Sequence, residues 1–179
     1  MKKKIDAFDY AKEIVQATKK GILITTKADK VNTMAVSWGA LGIEWGRPTF
    51  TIYIRESRFT HEQLEKNPEF TVNIPLGEYD RSLVGKSGTK TGWQMDKVSE
   101  FGLITEEPEI ISVPGIKQYP FTLECKVLYS KTQTLDEIRI SPEALEKEYP
   151  HAVDDKFAVL NNWPHTEYIG EIVAAYIIE

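Results

Sequence analysis

At 179 residues, 41% hydrophobic, 27% charged and with a formal net charge of -5, the chain reads as one soluble globular domain over residues 1–179, long enough to bury a proper core. The acidic balance excludes a nucleic-acid scaffold, because phosphate backbones demand a basic face. A membrane partner is excluded too, since the longest apolar run, Ile172 to Ile178, is far too short to span a bilayer.

The single cysteine, Cys125, rules out an intrachain disulfide and a CxxC redox pair. The expected compartment is the cytoplasm. Met1 to Lys4 carries three lysines and reads as a solvated end, and Asp6, Asp9, Lys12 and Glu13 interrupt any signal-like apolar stretch. Asp6 or Asp9 then caps a packing helix in which Ala11, Ile14, Val15 and Thr18 fall at spacings of three and four, ending at Gly21. Gly21 to Thr26 is a strand, and the polar KADK after it is a turn.

Asn32 to Gly39 reads as one strand, followed by a turn at Gly46-Arg47-Pro48 and a second strand from Thr49 to Ile54. That second strand runs into Arg55 and Arg58 flanking Ser57, two guanidinium forks and a hydroxyl suited to a phosphate dianion, unless the pair is simply exposed on the surface. Thr60-His61-Glu62-Gln63 has the form of a capping box and opens a helix stopped by Pro68. Its N-terminal amides would then lie behind the arginines and add to anion binding.

Glu69 to Ile74 is a strand ended by Pro75 and Gly77. The stretch Tyr79 to Gly92 contains GKSGTKTG, but Asp80 stands where a phosphate-binding P-loop needs glycine and no buried strand leads into it. It reads as a loop whose Lys86, Thr89, Lys90 and Thr91 either meet a phosphate from a second side or belong to a flexible surface. Residues 101–118 are irregular with one brief strand, and Tyr119 to Ser130 is a long strand with Cys125 as a core side chain. Ser141-Pro142-Glu143 opens a short helix to Tyr149, and the loop around Asn161, Asn162 and Trp163 is a candidate lid or dimer contact. His165 to Ile178 is a strand broken by Gly170. His61, His151 and His165 have no metal-ligand spacing, so no metal is expected.

Five pieces in order, NTMAVSWG, TIYIRESRFTHE, EFTVNIP, GTKTGWQMDK and HTEYIGEIV, resemble the flavin reductase-like family with an FMN-binding split barrel, which includes flavoredoxins and reductase components of two-component monooxygenases. The match runs from about residue 20 to the C-terminus and is weaker in the N-terminal helix and at residues 130–164. Strand-rich patterning with few helices already argues for an antiparallel barrel of about five or six strands. The resemblance implies a mainly β, antiparallel split β-barrel of Greek-key type with a few peripheral helices, usually a homodimer with FMN, or FAD in its place, at the subunit interface.

What the resemblance implies for individual residues is specific. Asn32, Thr33, Met34, Ala35, Val36, Ser37 and Trp38 would run along the flavin ring, with backbone groups and the Asn32 and Ser37 side chains on its pyrimidine edge. Trp38 either covers the dimethylbenzene end or fills core. Arg55, Ser57, Arg58 and Thr60 would hold the phosphate, with Lys90 and Thr91 reaching it from the second side. His165, ahead of Gly170-Glu171-Ile172, is either a residue on the flavin or nicotinamide side or an ordinary turn residue. Trp93 stands where members often show arginine, ahead of Asp96-Lys97, which changes the contact expected there.

No residue is required as nucleophile or general base, since the flavin carries the chemistry. Two functions follow from the resemblance: an NAD(P)H-dependent flavin reductase, or a flavoredoxin-like carrier that passes electrons to a redox partner protein. A barrel that has lost its flavin and serves as an interaction module is a third, opposed by the intact phosphate-type donor set.

Overall fold

The computed structural model describes residues 1–151 and 161–179. Strands β1 (Lys2–Lys4), β2 (Ile22–Lys27), β3 (Val31–Val36), β4 (Gly39–Glu44), β5 (Arg47–Arg55), β6 (Glu69–Ile74), β9 (Phe121–Thr132) and β10 (His165–Ile178) form one antiparallel sheet of eight strands. The short strands β7 (Thr105–Glu106) and β8 (Gly115–Ile116) pair separately. Helices α1 (Ala11–Lys20), α2 (Phe59–Lys66), α3 (Ser82–Thr89), α4 (Lys97–Glu100) and α5 (Pro142–Glu148) lie around it.

The strand order is β3-β2-β6-β9-β10-β5-β4, with β1 added to the far end of β10. Strands β3 and β4 therefore stand at opposite ends of the path, yet only Ser37 and Trp38 join them. So short a link brings the two ends of the sheet close together, and since they do not pair, the sheet curls into a barrel left open along that seam. This is the antiparallel split barrel expected from the sequence.

Strand β10 holds the barrel together by pairing with β5 through His165 to Glu171, with β1 through Tyr176 to Ile178, and with β9 along most of its length. Its register against β9 shifts at Ile169/Gly170 and again at Ile172/Ala174, the irregularities that let a 14-residue strand bend. Gly170 is required at the first bend, because a Cβ there would come 2.6 Å from the Phe70 ring. The enclosed core includes Ile24, Phe50, Ile52, Phe70, Phe121 and Tyr168, with α1 covering one opening through Ile14. Cys125 is fully buried there, and burial raises its thiol pKa well above the ordinary value, as suits a packing residue.

Several local expectations are corrected. The stretch from Asn32 to Gly39 is not one strand: β3 ends at Val36, and a further strand, β4, begins at Gly39. The hairpin turn lies at Trp45 and Gly46, both at positive φ (49° and 70°), so Arg47 and Pro48 are already in β5. The glycine-rich GALGIE lacks the β-branched and aromatic density that marks a strand, and cross-strand pairing with β5 makes it one. Tyr79 to Gly92 is not simply a loop. Its residues Ser82–Thr89 form α3, whose Leu83 is buried with Leu23 and Tyr119, so packing overrides the weak propensity of two glycines.

The lysine-rich start is a strand paired to Tyr176–Ile178, although Lys3 and Lys4 stay exposed. Residues 101–118 carry two brief strands instead of one. Asp6 accepts a hydrogen bond from Phe8 N and caps a 3-10 turn at Ala7–Tyr10 that leads directly into α1, while Val15 faces solvent.

Candidate functional site

Two adjoining clefts lie along β3 and the Ser37-Trp38 link that follows it. The first, about 230 Å³, runs beside Met34 to Trp38 and is closed by Tyr53, Arg55, Glu148 and His165. The second, about 240 Å³, lies between the start of α2 and the α3–α4 connection, among Ser57, Thr60, Ser87, Lys90, Thr91 and Lys97. Met34 and Arg58 line both.

Each wall follows from the fold. Strand β3 is an edge of the sheet, so alternate backbone N–H and C=O groups on its outer side are not used by a neighbouring strand. Strand β5 ends at Arg55, where the chain turns into α2, and this places the first amides of α2 on the second cleft. Helices α3 and α4 pack on β3 and carry Ser87, Lys90 and Lys97 to the other side of that cleft.

The two arginines are placed differently. Arg55 donates from Nη1 to the Asn161 and Trp163 carbonyls and from Nη2 to the Glu148 carbonyl (2.8 Å), with its guanidinium 4.9 Å from the centre of the Tyr149 ring. It thereby fastens the end of α5 and the segment before β10 as a wall of the first cleft. Arg58 bonds Asn161 Oδ1 (2.9 Å) from Nη2 and faces both clefts.

Thr60 is not the expected helix cap. Arg58 occupies the N-cap position without a side-chain cap bond, and Thr60 is the second residue of the helix, where its Oγ1 accepts from Asn32 Nδ2 (3.0 Å). Gln63 does not reach back to the helix start. Its Oε1 accepts from Thr26 Oγ1 (2.6 Å) and its Nε2 donates to Lys30 O (2.7 Å), interactions set by tertiary packing.

Of the β3 residues, Met34, Ala35 and Val36, with Ser37 and Trp38 beyond them, line the first cleft. Asn32 and Thr33 do not. Thr33 is fully buried with its hydroxyl bonded toward β2, and the Asn32 amide is buried against Thr60. Trp38 is partly exposed, and its ring lies 4.7 Å from that of His165. His165 is buried, directly opposite Arg55 in the β10–β5 register, and its Nδ1 pairs with Tyr149 Oη at 2.7 Å. Burial first, then the charges of Arg55 and Arg58, hold the imidazole pKa down at about 3, so it is neutral at ordinary pH.

In the sequence Lys97 stands out only as part of the GTKTGWQMDK motif, which does not by itself place it in the site. It is almost fully buried, and its Nζ donates to Thr33 O (2.9 Å) and Ser87 O (2.8 Å). Burial, helped by Arg58, lowers its pKa to about 8. The Asp96-Lys97 pair was the available signal: Asp96 caps α4 by accepting from Val98 N and Ser99 N, which leaves Lys97 to enter the cleft. Tyr149 and Ser87 had no such signal. Ser87 Oγ and Asn32 Oδ1 are buried without a hydrogen-bond partner among the described residues. No His, Cys, Asp and Glu grouping among those residues is suited to a metal ion, and no helix of the described residues is long and apolar enough to cross a membrane.

The combined geometry offers one cleft beside a backbone edge and lined by Trp38, Tyr53 and His165, joined to one polar, cationic cleft at a helix N-terminus. Comparison with known proteins places the fold and the family. An uncharacterized protein of Archaeoglobus fulgidus is 29% identical over 133 residues, 74% of this chain and 73% of the relative. The fold is similar to the flavoredoxin of Desulfovibrio vulgaris (TM-score 0.64, 20% identity, covering 89% of this chain and 69% of that one). It is also similar to an FMN-binding domain of a flavin reductases-like enzyme from Shewanella baltica (TM-score 0.65, 14% identity, covering 99% and 77%). A family model described as the flavin reductase like domain matches residues 17–179, and the chain therefore belongs to the flavin reductase-like family of split-barrel proteins.

Proposed function

We propose that this chain holds FMN across the two clefts and reduces it with hydride from NAD(P)H, as a flavin reductase. The observation that carries the reading is the meeting of the clefts at Met34 and Arg58, which puts a backbone edge with aromatic side chains and a cationic surface within one molecule's reach. A flavin mononucleotide has two matching parts, a planar ring and a terminal phosphate.

The residues present fit that group. Ser87 Oγ, buried and without a partner among the described residues, is a donor for a phosphate oxygen. Lys97 uses two donors on carbonyls, and an ammonium carries a third. Gly92 lets the cleft's loop pack closely on the start of α2, because a Cβ there would come 2.2 Å from Phe59 Cδ1 and 2.5 Å from Asn32 Oδ1.

In this reading Arg58, Ser57, Thr60, Lys90 and Thr91, with the first amides of α2, hold the phosphate. The β3 edge from Met34 to Ser37 bonds the pyrimidine rim, and Trp38 covers the ring. Asn32 supports Thr60, and Thr33 ties β3 to β2. Arg55 acts through the wall it fastens and through its charge, and neutral His165 faces the ring without adding a third cation beside Arg55 and Arg58. Bound FMN supplies hydride and electron transfer. The chain's own part is to bind, orient and shield it, leaving one ring face for the nicotinamide.

Pairing of two copies belongs to the same reading, with exposed Ile43 and Trp45 on the β4–β5 hairpin and Leu128 and Tyr129 on β9 as the apolar face available to a partner. Light scattering giving a monomer mass would remove that part.

The deciding experiment is an anaerobic visible spectrum of the FMN-loaded protein before and after NADH and then NADPH. Rapid bleaching by either nucleotide supports the reductase. Flavin that bleaches only with dithionite makes the chain a flavoredoxin-like carrier to a protein partner, and a protein that takes up no FMN refutes the flavin reading.

A further inference from the structure

We propose that Trp93 is a stacking platform for an adenine ring, so that the site takes a flavin dinucleotide, FAD, with its adenosine half lying beyond the second cleft. This rests on the flavin reading above and extends it to the part of the ligand past the first phosphate.

Trp93 lines the second cleft and not the first. It is 52% exposed, like the other tryptophans of the chain, so exposure alone does not distinguish it and its fixation does. It is fixed: Nε1 donates to Glu62 Oε2 at 2.8 Å, and its ring packs edge-on against Phe59 at 5.7 Å and 67°. Glu62 is in turn held by Lys66 Nζ at 2.9 Å, one turn along α2. A ring locked along its edge and against one neighbour presents its remaining surface with little conformational entropy left to lose, which suits stacking of a planar base.

The surroundings match the chemistry of an adenosine phosphate. The second cleft's cations and hydroxyls bind the phosphate, and Trp93, Gln94 and Phe59 line the same cleft. A ligand with its flavin ring in the first cleft and its phosphate in the second must send anything attached beyond that phosphate past this rim. FMN attaches nothing there, so Trp93 has no role in holding it. FAD attaches a second phosphate and an adenosine, and Lys90, on the same rim, is placed for the added charge.

The test compares dissociation constants for FMN and FAD, measured by flavin fluorescence, in the wild-type protein, Trp93→Ala and Trp93→Phe. Base stacking on an aromatic side chain corresponds to about a 5- to 150-fold change in affinity. The expected result is that Trp93→Ala weakens FAD by that factor and leaves FMN within about twofold, while Trp93→Phe keeps most of the FAD affinity. Retained FMN binding in the same variant shows that the site is folded. Equal effects of Trp93→Ala on both flavins, or none on either, overturn the platform. A wild-type protein that binds neither flavin overturns the flavin reading itself, a different and earlier failure.

Discussion

Replacing Arg58 and Arg55 one at a time separates a ligand-binding guanidinium from a structural one. The two are three residues apart, but Arg58 faces both clefts whereas Arg55 is bonded to the carbonyls of Glu148, Asn161 and Trp163. A charge-assisted hydrogen bond contributes about 1.5–3 kcal/mol, so Arg58→Ala should weaken FMN binding about 10- to 150-fold. Riboflavin lacks the phosphate and should change by about twofold or less. Arg55→Ala removes three bonds to neutral acceptors and the contact with the Tyr149 ring, which are partly screened and not additive, for a net loss of about 3 kcal/mol. For a domain of this size that lowers Tm by about 6–12 °C. Both flavins should then weaken together as the wall of the first cleft loosens, leaving the FMN to riboflavin ratio unchanged. Titration of each variant with the two flavins, alongside thermal unfolding, reads both effects. A collapse of the ratio in Arg55→Ala, with Arg58→Ala unaffected, would refute the assignment.

Lys97, with its pKa lowered to about 8, should make FMN affinity fall as pH rises through about 8, because the protonated form is the one that attracts phosphate. Riboflavin affinity should stay level over the same range, and Lys97→Met should flatten the FMN profile; a slope that survives the substitution assigns it elsewhere. The His165 imidazole is neutral in the folded chain down to about pH 3, whereas in the unfolded chain it protonates at about 6.5. Protons therefore bind the unfolded state first, so its contribution to stability is complete above about 6.5 and is lost as pH falls toward about 3. Denaturant midpoints of His165→Asn should decline less steeply across that window than those of the wild type, and matching slopes would count against the buried neutral imidazole. Gly92→Ala, which must push aside the Phe59 ring and Asn32 Oδ1, should cost about 1–3 kcal/mol and reduce FMN uptake; unaltered unfolding and uptake would mean that the cleft is looser than described.

Much of the fold was legible one stretch at a time. Glu69–Ile74 and the long C-terminal strand broken at Gly170 announced themselves by alternation and by a glycine at the bend, and the helix at Pro142–Glu148 by its serine cap and proline. Ser141 Oγ indeed accepts from Ala144 N at 3.2 Å. Those signals are local, since propensity, alternation and capping depend on neighbours in the chain. Where a local signal was weak, tertiary contacts prevailed: β4 is a strand because β5 pairs with it, α3 is a helix because Leu83 is buried, and Gln63 serves Thr26 and Lys30 instead of the helix start.

By its own pattern the sequence determined the strand-rich architecture, the membership implied by five ordered motifs, and the stretch around which a site would form. Only the tertiary structure decided how that site is divided. It turned Asn32 and Thr33 inward, set Arg55 to fastening a wall, left Arg58 between two clefts, and brought Lys97 across from α4 beneath Thr33. The reason is that a side chain's role depends on which acceptors reach it first when the sheet closes. Those acceptors, the carbonyls of Glu148, Asn161 and Thr33 among them, come from parts of the chain far away in sequence.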